Sequence, residues 1–176
     1  MSASALDRVS AETFRALTAP LIRCAVPWEH AAEWTIALQP VTSREALAAL
    51  YLPWHRRQGS QECWQGDIFN PDPADLPIAR RIGELPSFLD LLDEPRRRAV
   101  RRFERGYRFE RYPQGLISPA AQAQDGRRIL LDGCHRLSAI FLAEVPFTLA
   151  LLTIKGDPLK LGLVDLERLI AESRNA

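Results

Sequence analysis

Cysteine, histidine and lysine are all scarce in this chain, and the number and spacing of the cysteines argue against two kinds of structure. The 176 residues include three cysteines and three histidines. Cys24, Cys63 and Cys134 are an odd number with no close spacing, so they predict neither a disulfide framework nor a zinc site. Lysine supplies two of the 23 basic residues and arginine the rest.

Long apolar segments are also missing. No run approaches the 18 apolar residues that a membrane-spanning helix requires. The opening MSASALDRVSAETF is polar and has no apolar core of the kind found in a signal peptide. We therefore expect a cytoplasmic protein with no membrane partner; its oligomeric state is left open.

The composition is that of one folded domain. Hydrophobic residues make up 47% of the chain and the formal net charge is +1. These values predict a single globular domain over residues 1–176 and argue against a protein coated with nucleic acid. Arg96–Arg111 nevertheless contains eight arginines. This face offers a contact for nucleic acid that we do not favour, because glutamates within it neutralise part of the charge.

Apolar spacing and capping residues predict the elements of the first half. These are a helix at Ser10–Leu17, a strand at Trp34–Leu38 that stops at Pro40, a helix at 44–52 capped by Ser43 and ended by Pro53, and an irregular loop at Gly59–Pro77. We expect the N terminus to form a helical extension and residues 59–113 to form a helical insertion.

The second half has a more regular pattern. It predicts helices at Ser87–Leu92 and Pro95–Gly106, strands at Leu116–Gln122 and Arg128–Leu131 joined by an Asp125-Gly126 turn, a helix at His135–Ala143, a strand at Val145–Ile154 and a helix at Leu161–Ala171. Residues 115–155 should form the core of an α+β fold with a small mixed sheet and surrounding helices.

The stretch ILLDGCHRLSA joins a buried strand to a helix through a glycine. The first N–H groups of a helix have no internal partner and carry partial positive charge, so phosphate groups bind there. Gly133 allows a sharp turn, and His135 and Arg136 add donors. A thiol at Cys134 would ionise more readily in the same field. Asp132 is placed to hold a metal or to act as a base.

The hairpin, the DGCHRLSA motif, the helix and the strand VPFTLALLTI together resemble the ParB/sulfiredoxin superfamily, a fold also called the ParB-like nuclease domain. The resemblance covers about forty residues, Leu116–Ile154. Cys134-His135-Arg136 is similar to the triplet of sulfiredoxins, and Asp132-Gly133 is similar to the opening of the motif in free serine kinases.

The resemblance implies a function with three alternatives. The leading one is a phosphotransferase that uses ATP or ADP with Mg²⁺ and acts on a small molecule. The others are a sulfiredoxin-like, ATP-dependent reductase of cysteine sulfinic acid that uses Cys134, and a ParB-like module that binds CTP or DNA without turnover. No helix-turn-helix follows the motif, which disfavours a full ParB protein.

The expected site residues follow from this resemblance. Catalytic roles are predicted for Asp132, Cys134, His135 and Glu45; nucleotide contacts for Gly133, Cys134, His135, Arg136 and Ser138; and metal binding for Asp132. Glu45 lies near the position of the catalytic glutamate in the serine-kinase branch, but the first turn of a helix favours an acidic residue in any case. The stretch Trp54–Ser60 is either a clamp for a base or an acidic substrate, or a solvated loop with a buried tryptophan, which we favour.

Overall fold

The computed structural model describes residues 7–22, 28–57, 63–65, 75–123 and 126–155. The strands are β1 (Asp7–Val9), β2 (Thr35–Val41), β3 (Tyr51–Arg57), β4 (Cys63–Gln65), β5 (Asp75–Arg81), β6 (Gly115–Gln122), β7 (Arg128–Leu130) and β8 (Thr148–Lys155). The α-helices are α1 (Ala11–Thr18), α2 (Arg44–Ala48), α3 (Leu85–Phe88), α4 (Glu94–Arg108) and α5 (Cys134–Ala143). Short 3-10 helices span Trp28–Glu33, Ile82–Glu84 and Leu89–Leu91.

All of these strands belong to one mixed sheet, which confirms the α+β class. The strand order is β1-β2-β8-β6-β7-β3-β4, and β5 pairs with β3 outside this path. Two pairs are parallel, β6 with β8 and β3 with β7, and the others are antiparallel. Helix α5 connects β7 to β8, so the chain passes over one face of the sheet between those strands.

The sheet has a hydrophobic core on each face, and β8 contributes to both. Leu149 and Leu151 belong to the core that contains residues of α2, α4 and α5. Leu152 and Ile154 belong to the other core, with Phe14 of α1 and nearby tryptophans. Side chains alternate between the faces of a strand, and a strand buried on both faces is continuously apolar. This burial explains the apolar run LALLTI within β8, whereas residues 145–147, predicted as part of the strand, precede its first residue, Thr148.

Side chains cap the beginnings of three helices. Ser10 and Ser43 are caps that the sequence predicts, and Asp93 lies two residues before the predicted helix start at Pro95. The side chains of Ser10, Ser43 and Asp93 accept hydrogen bonds from the backbone N–H groups of Thr13, Ala46 and Arg96 respectively. Each bond satisfies a donor that has no partner inside its helix. The predicted helices at the N terminus, at 95–106 and at 135–143 are confirmed to within a few residues by α1, α4 and α5.

Two prolines do not end elements where the sequence predicts. Pro40 lies inside β2, beyond the last residue that pairs with β1, so its missing N–H costs no bond to that strand. The helix predicted for 44–52 is wrong after Ala48, because Tyr51 and Leu52 begin β3 and Pro53 lies within it. Pairing of β3 with β5 overrides the local helical pattern.

The expected loop and helical insertion are also only partly correct. Gly59–Pro77 includes β4 and the beginning of β5, so residues 59–113 extend the sheet as well as contributing α3 and α4. The N terminus likewise supplies a strand, β1, and not helix alone. The predicted helix at Leu161–Ala171 lies outside the described residues. No helix in the described ranges is both long and apolar enough to cross a lipid bilayer.

Gly106 does not end α4, which continues to Arg108. The glycine is needed for packing: a Cβ at this position would lie 2.0 Å from Cε2 of Tyr112. Tyr112 also contacts the rings of Phe103 and Tyr107, at centroid distances of 5.4 Å in both pairs. The close approach of this aromatic cluster to the helix backbone explains why a glycine occupies a helical position.

Replacing Gly106 with alanine should destabilise the protein, although alanine favours a helix by about 1 kcal/mol over glycine. The Tyr112 ring must move, and such overpacking costs about 1–3 kcal/mol. Urea unfolding followed by circular dichroism measures the change. Gly115→Ala is the control, because no atom lies within 4 Å of its added Cβ; a Gly106→Ala protein as stable as this control would contradict the packing role.

Candidate functional site

The chain reaches α5 through the hairpin that the sequence predicts. β6 and β7 pair antiparallel over Ala120–Gln122 and Arg128–Leu130. Gly126 closes the turn with φ at 86°, and its N–H donates to the carbonyl of Ala123 at 3.0 Å. After β7, the N–H of Leu131 donates to the carbonyl of Pro119 at 2.9 Å. This bond keeps the chain beside β6 until it turns into the helix.

Gly133 makes the turn into α5. Its φ is 84°, in the left-handed region that glycine adopts without strain. As the N-cap residue it offers no side chain to the first N–H groups of the helix. Its absent Cβ leaves room for Ser118, whose Oγ would lie 2.9 Å from that atom. The glycine is therefore required both by backbone conformation and by a close neighbour.

Ser118 is a residue of the site that the sequence reasoning missed. Its hydroxyl is buried and donates to the backbone carbonyl of Asp132 at 2.6 Å. This bond fixes the residue before Gly133 against β6. The sequence contains one indication of this role, a hydroxyl side chain within the otherwise apolar run LISPAA. Buried polar side chains in proteins have hydrogen-bond partners, so such a serine indicates a specific contact.

His135 packs towards β3. Its ring lies 6.3 Å from the ring of Trp54, and Trp54 lies 5.8 Å from Phe88. Trp54 is fully buried, and the Nε2 atom of His135 is shielded from solvent. The buried-tryptophan interpretation of this stretch thus applies to Trp54, although the residue lies in a strand and not in a loop.

Arg136 points to the other side of α5, towards α4, and is exposed. Its guanidinium lies 5.8 Å from the centre of the Phe103 ring. The pKa of Tyr107 is raised, chiefly by burial, while the charge of nearby Arg136 acts in the opposite direction. His135 and Arg136 therefore flank the beginning of α5 on two sides. A ligand that touches both must extend across the helix end.

Cys134 and Ser138 lie in the interior. Cys134 is 2% exposed and belongs to the core between the sheet and α5. Ser138, one turn further, is fully buried, and its Oγ has no hydrogen-bond partner among the described residues. In this conformation neither side chain reaches a ligand on the surface. Nucleophilic attack by Cys134 would require exposure of its thiol.

Asp132 is partly buried at the end of β7 and is the acidic residue nearest Gly133 in the chain. Within the described part of the chain, no three histidine, cysteine, aspartate or glutamate side chains form a group suited to hold a metal ion. A Mg²⁺ ion at Asp132 would therefore take most of its ligands from phosphate oxygens and water, as this ion commonly does.

Glu45 lies near the C-terminal end of α5 and not near the beginning of that helix. It lies in the first turn of α2 and is exposed, and its neighbour Arg44 contacts Phe141 and Glu144 at the C-terminal end of α5. A hydrogen bond from its own backbone N–H, and then one from Ser43, lower the pKa of Glu45. These contacts are typical of a helix start and give no support to the predicted catalytic role.

Comparisons with known proteins add no information about the function of this site. Neither models of protein families, nor curated proteins, nor solved structures match the chain. The similarity to the ParB/sulfiredoxin superfamily consequently stays a prediction based on the motif and its surrounding elements.

Gly133→Ala should destabilise the protein more than Gly126→Ala. Both glycines have nearly the same φ, so both variants carry backbone strain of about 1–3 kcal/mol. Only the alanine at 133 also meets Ser118. We expect the difference to shrink when Ser118 is alanine too, which a double-mutant cycle in urea would measure. If Gly133→Ala and Gly126→Ala lower the free energy of unfolding equally in the protein that retains Ser118, the close contact between residue 133 and Ser118 is contradicted.

Cys134 should react slowly with a thiol reagent such as dithionitrobenzoate because its side chain is buried. The measurement uses a Cys24→Ser/Cys63→Ser protein, so that Cys134 is its remaining cysteine. We expect release of one equivalent of chromophore at the rate of unfolding, and rapid release in urea. Fast reaction of the folded protein would show an accessible thiol and would favour the reductase alternative.

Proposed function

We propose that the beginning of α5 binds the phosphate groups of a nucleotide, and that the protein is a nucleotide-dependent phosphotransferase acting on a small molecule. The observation that carries the proposal is Gly133 in the left-handed conformation at the N-cap of a ten-residue helix. A glycine here leaves the helix end open to an anion, and the helix dipole favours negative charge at that point. The fold of ParB/sulfiredoxin type is part of the same proposal.

The side chains around this helix end have complementary roles. Arg136 is exposed and supplies the forked donor that pairs with phosphate oxygens. His135, held against Trp54, borders the site on the side of β3. Asp132 is the residue that would hold Mg²⁺, and the chemistry such an ion would supply is neutralisation of phosphate charge. Ser118 acts through the backbone of Asp132 and keeps the turn in place.

Burial of Cys134 supports the phosphotransferase over the sulfiredoxin-like alternative. A reductase of sulfinic acid needs its cysteine at the surface, whereas a kinase with the same motif needs only the backbone and the two residues that follow. The ParB-like alternative shares the phosphate site and differs in its nucleotide, since it predicts a preference for CTP. Nucleotide preference therefore separates these functions better than the geometry of the turn.

Thermal shifts with ATP, ADP, CTP and GTP, each with Mg²⁺, test the proposal. A nucleotide at one hundred times its Kd stabilises the folded state by about 2.7 kcal/mol, which raises Tm by roughly 5–10 °C in a protein of this size. We expect ATP or ADP to give such a shift. Arg136→Ala should weaken binding on the order of ten-fold, because it removes a charge-assisted hydrogen bond.

Arg8→Ala is the matched control, because Arg8 is an exposed arginine on β1 at the opposite edge of the sheet. Its nucleotide affinity should equal that of the wild type. If no nucleotide stabilises the protein, the proposal fails. A shift with CTP alone would favour the ParB-like alternative, and equal loss in both arginine variants would show that only net charge matters.

A further inference from the structure

The exposed face of α4 carries an arginine stripe, which we define as Arg98, Arg101, Arg102, Arg105 and Arg108. All five are exposed. Residues three, four and seven positions apart lie on one side of a helix, so these guanidinium groups share a face. With a rise of about 1.5 Å per residue, the stripe is about 15 Å long. The opposite side of α4, with Val100 and Tyr107, is buried in the core.

Ion pairs neutralise only part of this charge. Glu104 pairs with Arg101 and Arg108, at 2.9 Å and 3.0 Å, and Glu94 pairs with Arg98 at 2.9 Å. Among the described residues, Arg102 and Arg105 form no ion pair. The guanidinium of Arg102 lies 5.1 Å from the centre of the Phe103 ring. The middle of the stripe thus presents two positive charges that have no acidic partner in the described structure.

An aromatic ring lies at the end of the stripe. Phe109 follows the last residue of α4 and is 69% exposed, more than any other large hydrophobic side chain in the described structure. The guanidinium of Arg111 lies 5.6 Å from its ring centre. Exposing a phenylalanine to water is unfavourable by itself, and the contact with Arg111 leaves most of this ring in solvent in the described structure.

We propose that the arginine stripe and Phe109 bind single-stranded nucleic acid. A row of exposed guanidinium groups on a convex helix suits an extended chain of phosphates, and it cannot enclose one small anion. An exposed aromatic ring beside such a row provides a platform on which an unpaired base stacks. A protein partner would need a larger apolar centre in the interface than one phenylalanine among arginines supplies.

This surface uses different arginines from the proposed phosphotransferase site, although Arg102 of the stripe and Arg136 of that site approach the same Phe103 ring. The surface lies on the solvent side of α4, and α4 precedes the segment on which the family resemblance depends. Arg136 contacts Phe103 and belongs to the nucleotide site, so it is left out of the stripe. Nucleotide binding is therefore measured on the Arg102→Ala/Arg105→Ala protein too, and strand binding lost while nucleotide binding is retained assigns the loss to the stripe.

Fluorescence anisotropy of labelled oligo(dT) and oligo(U), each 15 nucleotides long, tests the inference with the full chain between 50 and 200 mM salt. Arg102→Ala/Arg105→Ala should lower the affinity and reduce the slope of log K against log salt by about 1.4, or about 0.7 for each phosphate that an arginine no longer neutralises. Phe109→Ala should lower the affinity on the order of ten-fold and leave that slope unchanged. Binding of either strand supports the inference, and the tighter one indicates DNA or RNA.

Matched controls use exposed residues elsewhere. Arg8→Ala/Arg15→Ala removes two charges from β1 and α1, and Leu17→Ala removes an exposed apolar side chain; each should bind the strand like the wild type. Failure of the wild type to bind either oligonucleotide overturns the inference. So does equal affinity for a 15-base-pair duplex with no effect of Phe109→Ala, or equally strong competition by polyglutamate of the same charge.

Discussion

The passage of the chain from β7 into α5 depends on one buried contact, the hydrogen bond from Ser118 to the carbonyl of Asp132. It ties the turn to β6, the strand that also pairs with β8. Because Gly133 then turns in the left-handed conformation, α5 starts directly above the sheet and packs into the core that lies on that face. The beginning of the helix, and with it the proposed phosphate site, is held by a serine hydroxyl that donates to a backbone carbonyl.

Because α5 begins at this turn, three neighbouring residues of the motif, Cys134, His135 and Arg136, make different contacts. Consecutive helical residues point in different directions, so Cys134 enters the core while His135 contacts Trp54 and Arg136 contacts Phe103. The sequence suggests three reactive side chains in a row. In the structure Cys134 packs in the core, and His135 and Arg136 lie on either side of the helix end. Burial of the thiol is the physical reason for favouring phosphate chemistry over thiol chemistry.

Helix α4 contributes residues to both proposed sites. Its buried side supplies Phe103 and Tyr107, which contact or lie near Arg136, and its opposite side carries the arginine stripe. Because α4 and α5 pack together, substitutions in the buried side of α4 would disturb both surfaces. On its exposed side, Arg102→Ala and Arg105→Ala break no ion pair among the described residues, whereas Arg101 and Arg108 pair with the buried Glu104.

Local patterns in the sequence determined the hairpin at Gly126, the caps of α1 and α2, the helix after Gly133 and the apolar strand that follows, because turn residues, capping residues and apolar periodicity act over a few neighbours. Only the tertiary structure decided that Tyr51–Pro53 pair as a strand, that Gly106 makes room for Tyr112 and that Ser118 holds the turn. Each of these depends on a partner distant in the chain, whether a strand, a ring or a carbonyl group. Packing and pairing energies from such partners exceed the weak local preferences of the residues involved.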